Sequence, residues 1–260
     1  MKRKRKQKHR LTKKALKDNR QLGGSLQGCP LFLVGRRLEY GKIKNVKGII
    51  ETAKTYYDNR ESLIYTYRGR VFMRGDELYD SENDNRGRID CSSYVHLALL
   101  GVPYDESPYV TGDVEGFFNT PCPWYPGSQG GEVMSIAKVF AANSERGRDI
   151  RRSSGLARYC REHGFELSPD DSGSYDGVLQ PGDLVFFEAA PSRLKEYIYY
   201  KIWLAIAHVG IVAEDTRYMI NATGSSRHEL NVKNEAIRYT RIADKGAPVL
   251  AARIKQDGSS

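Results

Sequence analysis

The sequence predicts an α+β fold, on two observations. Helix-like segments come first and strand-like segments last, in blocks and not in alternation. Two of the apolar strands, 208–213 and 217–222, flank a tight connection at Glu214–Thr216, which is the signature of an antiparallel hairpin. The 260 residues suit one large domain, and apolar content of 40% with aromatic content of 10% suffices for a packed core.

The segments follow in order. Residues 1–28 read as a basic, disordered tail, and residues 29–260 as the folded domain. Pro30 to Val34 is a short apolar run that docks on the body. Residues 46–59 place Val46, Ile49, Ile50, Ala53 and Tyr57 at helical spacing. Residues 62–67 are extended, and 74–88 are a polar, glycine-punctuated loop. Ile89 to Leu100 is apolar almost all round, with Asp90 as its cap and Gly101 as its stop, which predicts a buried central helix. Residues 102–131 are rich in Gly, Pro and aromatics without clear periodicity, and their aromatics predict an ordered loop. Helices follow at 132–142 and 154–163. Gln180-Pro181-Gly182-Asp183 turns the chain into a buried strand, Leu184 to Glu188. Residues 193–204 read as a helix and 248–254 as a last strand.

Charge is uneven. Lys and Arg number 41 against 32 Asp and Glu, and residues 1–20 hold eleven of those bases with Asp18 as the lone acid. The remainder of the chain is near neutral, which argues against a nucleic-acid-binding domain with a basic face. The tail's charge reads either as a solvated arm or as an attraction for an anionic polymer. Four cysteines (Cys29, Cys91, Cys122, Cys160) make no disulfide framework, and none has zinc-ligand spacing, so no metal and no cofactor is expected. No apolar run is long enough to span a membrane. The basic N-terminus lacks the apolar segment of a signal peptide, and Leu26-Gln27-Gly28-Cys29 lacks the one that precedes a lipoprotein cleavage site. These features lead to an expectation of cytoplasmic synthesis with phage-borne, lysis-linked or other non-classical delivery.

Cys91 opens the central helix, where the positive end of the macrodipole favours a thiolate. A cysteine nucleophile needs a base, and the base an orienting partner. Of the five histidines, His9 lies in the tail, His96 points elsewhere on the helix of Cys91, His163 ends a helix and His228 sits in a polar turn. His208 opens an apolar strand and is the best base. If Asp215-Thr216 is a two-residue turn, Glu214 pairs with Arg217 and His208 faces Thr223. Asn221 is then its diagonal neighbour, and diagonal pairs have Cβ atoms about 7–8 Å apart. Val209, Ile211, Ile220 and Ala222 occupy the opposite, core face.

Three blocks carry a family resemblance. Asp90-Cys91-Ser92-Ser93-Tyr94-Val95 resembles the Asp-Cys-Ser-Gly-Phe-Val signature of the NlpC-type cysteine peptidases, which cut bacterial cell-wall peptides. Gln180-Pro181-Gly182-Asp183-Leu184-Val185-Phe186-Phe187 is similar to that family's Pro-Gly-Asp-Leu-Val-Phe-Phe strand, and Ala207-His208-Val209-Gly210-Ile211-Val212 to its His-Val-Gly-Ile strand. The blocks occur in the family's order and span about 46–254. The resemblance implies a papain-like fold, with the nucleophile helix packed on an antiparallel sheet and an enlarged loop/helix insertion at about 102–150.

The resemblance also implies roles: Cys91 as nucleophile, His208 as base and then acid, Asn221 as the third member, and the Cys91 backbone amide in the oxyanion site. Asp90 and Ser92 match substrate-holding positions. Tyr65 matches the Tyr of the family's Tyr-x-Trp-Gly-Gly segment, although Tyr67 stands for the Trp and Arg68 for a Gly. Ser93 replaces the usual Gly. Trp124 and Tyr125 are candidates to stack on a sugar, with loop packing as the plainer alternative. The implied activity is hydrolysis of the peptidoglycan stem peptide, at the γ-D-glutamyl bond to the diamino acid. Two alternatives stand beside it: an amidase or acyltransferase on another substrate, and a catalytically silent wall-binding or virion module.

Overall fold

A computed structural model describes residues 48–66, 87–122, 134–144, 148–199, 201–224 and 236–254. The basic tail, the run at 30–34, Tyr67, Arg68, Trp124 and Tyr125 lie outside the described residues. No helix among the described residues is long and apolar enough to cross a membrane.

The architecture is α+β. Helix α1 (Ile49–Asp58) buries Ile49, Thr52, Ala53 and Tyr56 along one stripe. Strands β1 (Leu63–Tyr65) and β2 (Gly87–Ile89) form a parallel pair that sets Tyr65 opposite Ile89. Helix α2 (Cys91–Leu99) follows directly, and all nine of its residues are buried. Such all-round burial matches a sequence that is apolar almost all round. Tyr94 donates its hydroxyl to the Ala53 carbonyl at 3.0 Å, which ties α2 to α1.

The segment after α2 is more regular than its composition suggests. It forms α3 (Pro108–Thr111) and α4 (Val114–Asn119) before residue 122, then α5 (Ile136–Ala142). The turns of these helices are too short to show periodicity, but their ends are legible. Pro108 begins α3, Gly112 ends it at φ +69°, and the Asp113 carboxylate caps α4 by accepting from Gly116 N–H. Helix α6 is Ser153–Glu162 and α7 is Pro191–Tyr199; the 193–204 helix therefore starts earlier and stops sooner, giving way to a single tight turn at Trp203–Ala205.

A five-stranded antiparallel sheet completes the fold, in the order β6-β5-β4-β3-β7. Its strands are β3 (Leu184–Glu188), β4 (Ile206–Val212), β5 (Tyr218–Ala222), β6 (Ile237–Arg241) and β7 (Leu250–Ala252). Strand β6 was not anticipated. The β4–β5 register is the expected one, with Ile211 opposite Ile220 and Val212 opposite Met219. The turn differs: the last backbone bond of the hairpin is Ala213 N–H to the Tyr218 carbonyl, and Tyr218 N–H returns to Asp215. A four-residue loop thus replaces the two-residue turn and leaves the register unchanged. A bulge sits in β4, where Phe187 pairs with His208 but Glu188 pairs with Ile206, leaving Ala207 unpaired.

Both sheet faces are covered. Val209, Ile211, Ile220 and Ala222 join the core under α2. Val185, Phe187, Val212 and Met219 lie on the other face, beneath Tyr175, Leu179 and Ile242 of the short helix α8 (Ile242–Lys245). The Gln180–Asp183 turn is fixed from within. Gly182 takes φ +93°, the Asp183 carboxylate accepts from Gln180 N–H, and Arg253 of the chain beyond β7 grips the same carboxylate with two bonds of 2.8 Å. Asp183 is 2% exposed, so Arg253 neutralises a buried charge.

Arg253→Ala strands that carboxylate in the interior, and should cost about 3 kcal/mol in urea unfolding. A loss within error of zero would show the turn to be held by its backbone alone.

Candidate active site

Helix α2 begins at a complete cap. Asp90 lies in extended conformation before it, and its Oδ1 accepts from the Ser93 N–H at 2.8 Å while Ser93 Oγ accepts from the Asp90 N–H at 2.9 Å. Ser92 donates its hydroxyl to the same Oδ1 at 3.0 Å. Asp90 and Ser92 are therefore spent on one another and on the helix start. Burial raises the Asp90 carboxyl above its ordinary value, against the hydrogen bonds of Ser93 and Ser92 that lower it. The Cys91 N–H, among the described residues, has no acceptor, and it stands at the positive end of α2.

Cys91 is 6% exposed and faces β4. Its sulfur lies near the Val209 backbone N–H and the Ser153 hydroxyl at the start of α6, which favour the thiolate, so it lies against the residue that follows His208. The thiol is not hydrogen-bonded to the imidazole. Its ionisation runs opposite to the sequence expectation. Burial, with the Asp90 charge adding to it, pushes the Cys91 thiol up to about 12. The macrodipole amounts to about half a charge at the helix end, and desolvation of a buried thiolate outweighs it.

His208 and Asn221 are brought together as the register requires. His208 Nε2 and Asn221 Oδ1 are 2.9 Å apart. The amide's orientation is decided by its other end. Asn221 Nδ2 donates to the Arg238 carbonyl at 3.2 Å and to Thr240 Oγ1 at 2.8 Å. A carbonyl can only accept, so the nitrogen must face β6 and the oxygen must face the imidazole. His208 Nε2 then carries the proton, and Nδ1 is left with the lone pair. Gly210 makes this approach feasible: a Cβ there would stand 2.5 Å from the Met219 sulfur and 3.2 Å from Asn221 Cβ. Burial first, and then the Lys245 charge, lower His208 to about 4, against the Asn221 bond that raises it.

Tyr65, opposite Ile89, lies two residues before Cys91 along the paired strand, and its ring packs on Gly224 just past the end of β5. It thus connects the start of α2 with the end of the hairpin. Two contributors escaped the sequence reading. Thr240 belongs to β6, whose sequence Ile237–Arg241 shows no clean apolar alternation. Ser153 carries no signal in sequence. His96 is fully buried and faces the Ile150 carbonyl through Nε2, a packing role. No group of three or more His, Cys, Asp or Glu among the described residues could hold a metal ion. No family model, curated protein or solved structure matches this chain.

The amide argument gives a direct expectation. Imidazole 15N shifts should show His208 as the Nε2–H tautomer, and Asn221→Ala should release it to a mixture. An Nδ1–H tautomer in the unaltered protein would mean that Asn221 is reversed.

Acid stability follows from buried His96 and half-buried His208. Burial lowers both His96 and His208 to about 4 from 6.5. Between these values the unfolded chain binds protons that the folded chain refuses, so stability is full above about 6.5 and falls as the pH drops. Each histidine should contribute a slope of about 1.4 kcal/mol per pH unit. His96→Gln should halve the slope of unfolding free energy between pH 6 and pH 4.5; an unchanged slope would place the titration elsewhere.

Proposed function

We propose that this chain is a papain-like cysteine amide hydrolase whose substrate is the peptidoglycan stem peptide, in line with its resemblance to the NlpC-type peptidases. One observation carries the reading: an imidazole oriented by an amide that is itself clamped by β6, one residue from the backbone N–H that touches a helix-starting thiol. Orienting an imidazole this way is what a cysteine nucleophile asks of its base.

In this mechanism Cys91 Sγ attacks the scissile carbonyl carbon as its proton passes to His208 Nδ1. The Cys91 N–H donates to the developing oxyanion. Collapse expels the amine, which takes the proton from Nδ1 and leaves a thioester on Cys91. Water then attacks the thioester with His208 again as base, and the thiol is restored. Asn221 keeps the proton on Nε2 throughout. Because thiol and imidazole are both held neutral, proton transfer accompanies attack instead of preceding it. Residues 1–20, on this reading, attract the enzyme to an anionic polymer of its target.

A second reading rests on the burial of Cys91. A thiol closed off from water and pushed to about 12 also suits a silent module that has kept the scaffold.

Purified muropeptides separate the two. Cys91→Ala should fold normally and lose at least about a thousandfold in kcat/KM. A folded wild-type protein as inert as Cys91→Ala would establish the silent module. If the enzyme reading holds, kcat/KM should rise through the His208 ionisation near 4 and stay level beyond neutral pH, since the Cys91 thiol keeps its proton until about 12. An acid limb near 6.5 would show that the base works in water and not in this buried setting.

A further inference from the structure

Two cations near the His208 face, half-buried Arg238 and exposed Lys245, form no ion pair among the described residues. Arg238 lies directly opposite Asn221 in the β5–β6 ladder, so both side chains leave the sheet on the face that bears His208. The Arg238 Nε is buried and has no hydrogen-bond acceptor, and its guanidinium forms no ion pair among the described residues. Lys245 ends α8. Three residues earlier on that helix, Ile242 packs among Phe187, Val212 and Met219 on the His208 face, and a spacing of three brings Lys245 to the same side. No carboxylate among the described residues pairs with Lys245.

The charges feel one another. Lys245 is lowered by desolvation and by Arg238, and raised by Cys91, while His208 is in turn lowered by Lys245. The Arg238 Nε is a buried donor with no acceptor, and native proteins keep few such donors; Lys245 itself is exposed and adds its charge from the solvent side. An anion between them would satisfy the Arg238 Nε, offset the like charges and lie on the face of the sheet that bears His208. Guanidinium matches a carboxylate in a planar, two-pronged geometry.

We infer that Arg238 and Lys245 form an anion subsite that holds a free carboxylate of the substrate beside the scissile bond. It rests on the hydrolase reading for its substrate, but not for its existence. Neither residue touches the reacting atoms, so they set specificity through binding. A substrate with an amidated carboxyl at that position is disfavoured, because it brings no charge and sets an NH2 against the two cations.

Two measurements on the full-length protein decide it. The first compares L-alanyl-γ-D-glutamyl-L-lysine with the same peptide carrying an α-carboxamide on the D-glutamyl residue. Arg238→Gln and Lys245→Gln should each lower the ratio of kcat/KM for the acid to kcat/KM for the amide about tenfold, with Lys245→Arg restoring most of that ratio; any change in the His208 base acts on both peptides alike and leaves the ratio untouched. Equal losses on both peptides, or no loss on either, would overturn the subsite. The second is independent of turnover: sodium acetate is titrated while the His208 ring signals are followed by NMR at fixed pH. A saturable shift, abolished in Arg238→Gln/Lys245→Gln, is expected. A flat titration in the unaltered protein overturns the subsite even where both peptides are cut. A saturable titration in a protein that cuts neither peptide keeps the subsite and dismisses the hydrolase.

Discussion

The close approach of β4 and β5 at Gly210 is the constraint on which the rest of the site depends. With no side chain at that position, Met219 and Asn221 settle against β4, and Asn221 comes within a hydrogen bond of His208. The same pairing turns Val209, Ile211, Ile220 and Ala222 towards α2, so the face that builds the core and the face that builds the site are fixed by one register. A slip of one residue would turn the imidazole towards α2 and carry Val209, Ile211 and Ile220 to the opposite face, out of the packing they make there. The apolar face therefore protects the polar one: the site holds its geometry because the alternative costs a core.

Strand β6 adds what two strands cannot. A hairpin alone would leave the Asn221 amide free to present either end to the histidine. The Arg238 carbonyl and the Thr240 hydroxyl remove that freedom by claiming the nitrogen. The imidazole's tautomer is in this sense decided a strand away from it, through an amide that carries no charge and undergoes no chemistry.

Much of this was legible in residue order, for a physical reason. Period-two alternation in 208–213 and 217–222 specifies register whatever turn joins them, which is why the pairing came out correctly although the loop has four residues and not two. The run from Ile89 to Leu100, apolar almost all round, signals a helix buried on every side, and Asp90 announces its start. Properties of assembled space were not legible. The Cys91 thiol was expected to be acidified by its helix, but what surrounds a first turn depends on which chain segments close over it, here β4 and the Ser153 hydroxyl. Strand β6 was overlooked because its site-facing positions are Arg238 and Thr240 and its exposed ones Tyr239 and Arg241, which together read as a polar stretch until a neighbouring strand gives them a face.

The bulge at Ala207 has a consequence for how this chain can vary. Ile206 and Val209 both point into the core although an odd number of positions separates them, because Ala207 absorbs one residue out of phase. The alternation that aims His208 thus begins afresh at the bulge. Whatever lies upstream, including α7 and the tight turn at Trp203–Ala205, is uncoupled from the direction of the imidazole. Descendants of this sequence are free to lengthen, shorten or replace that stretch without rotating the base, so it is a segment where lineages can diverge in size while the machinery behind it stays in step.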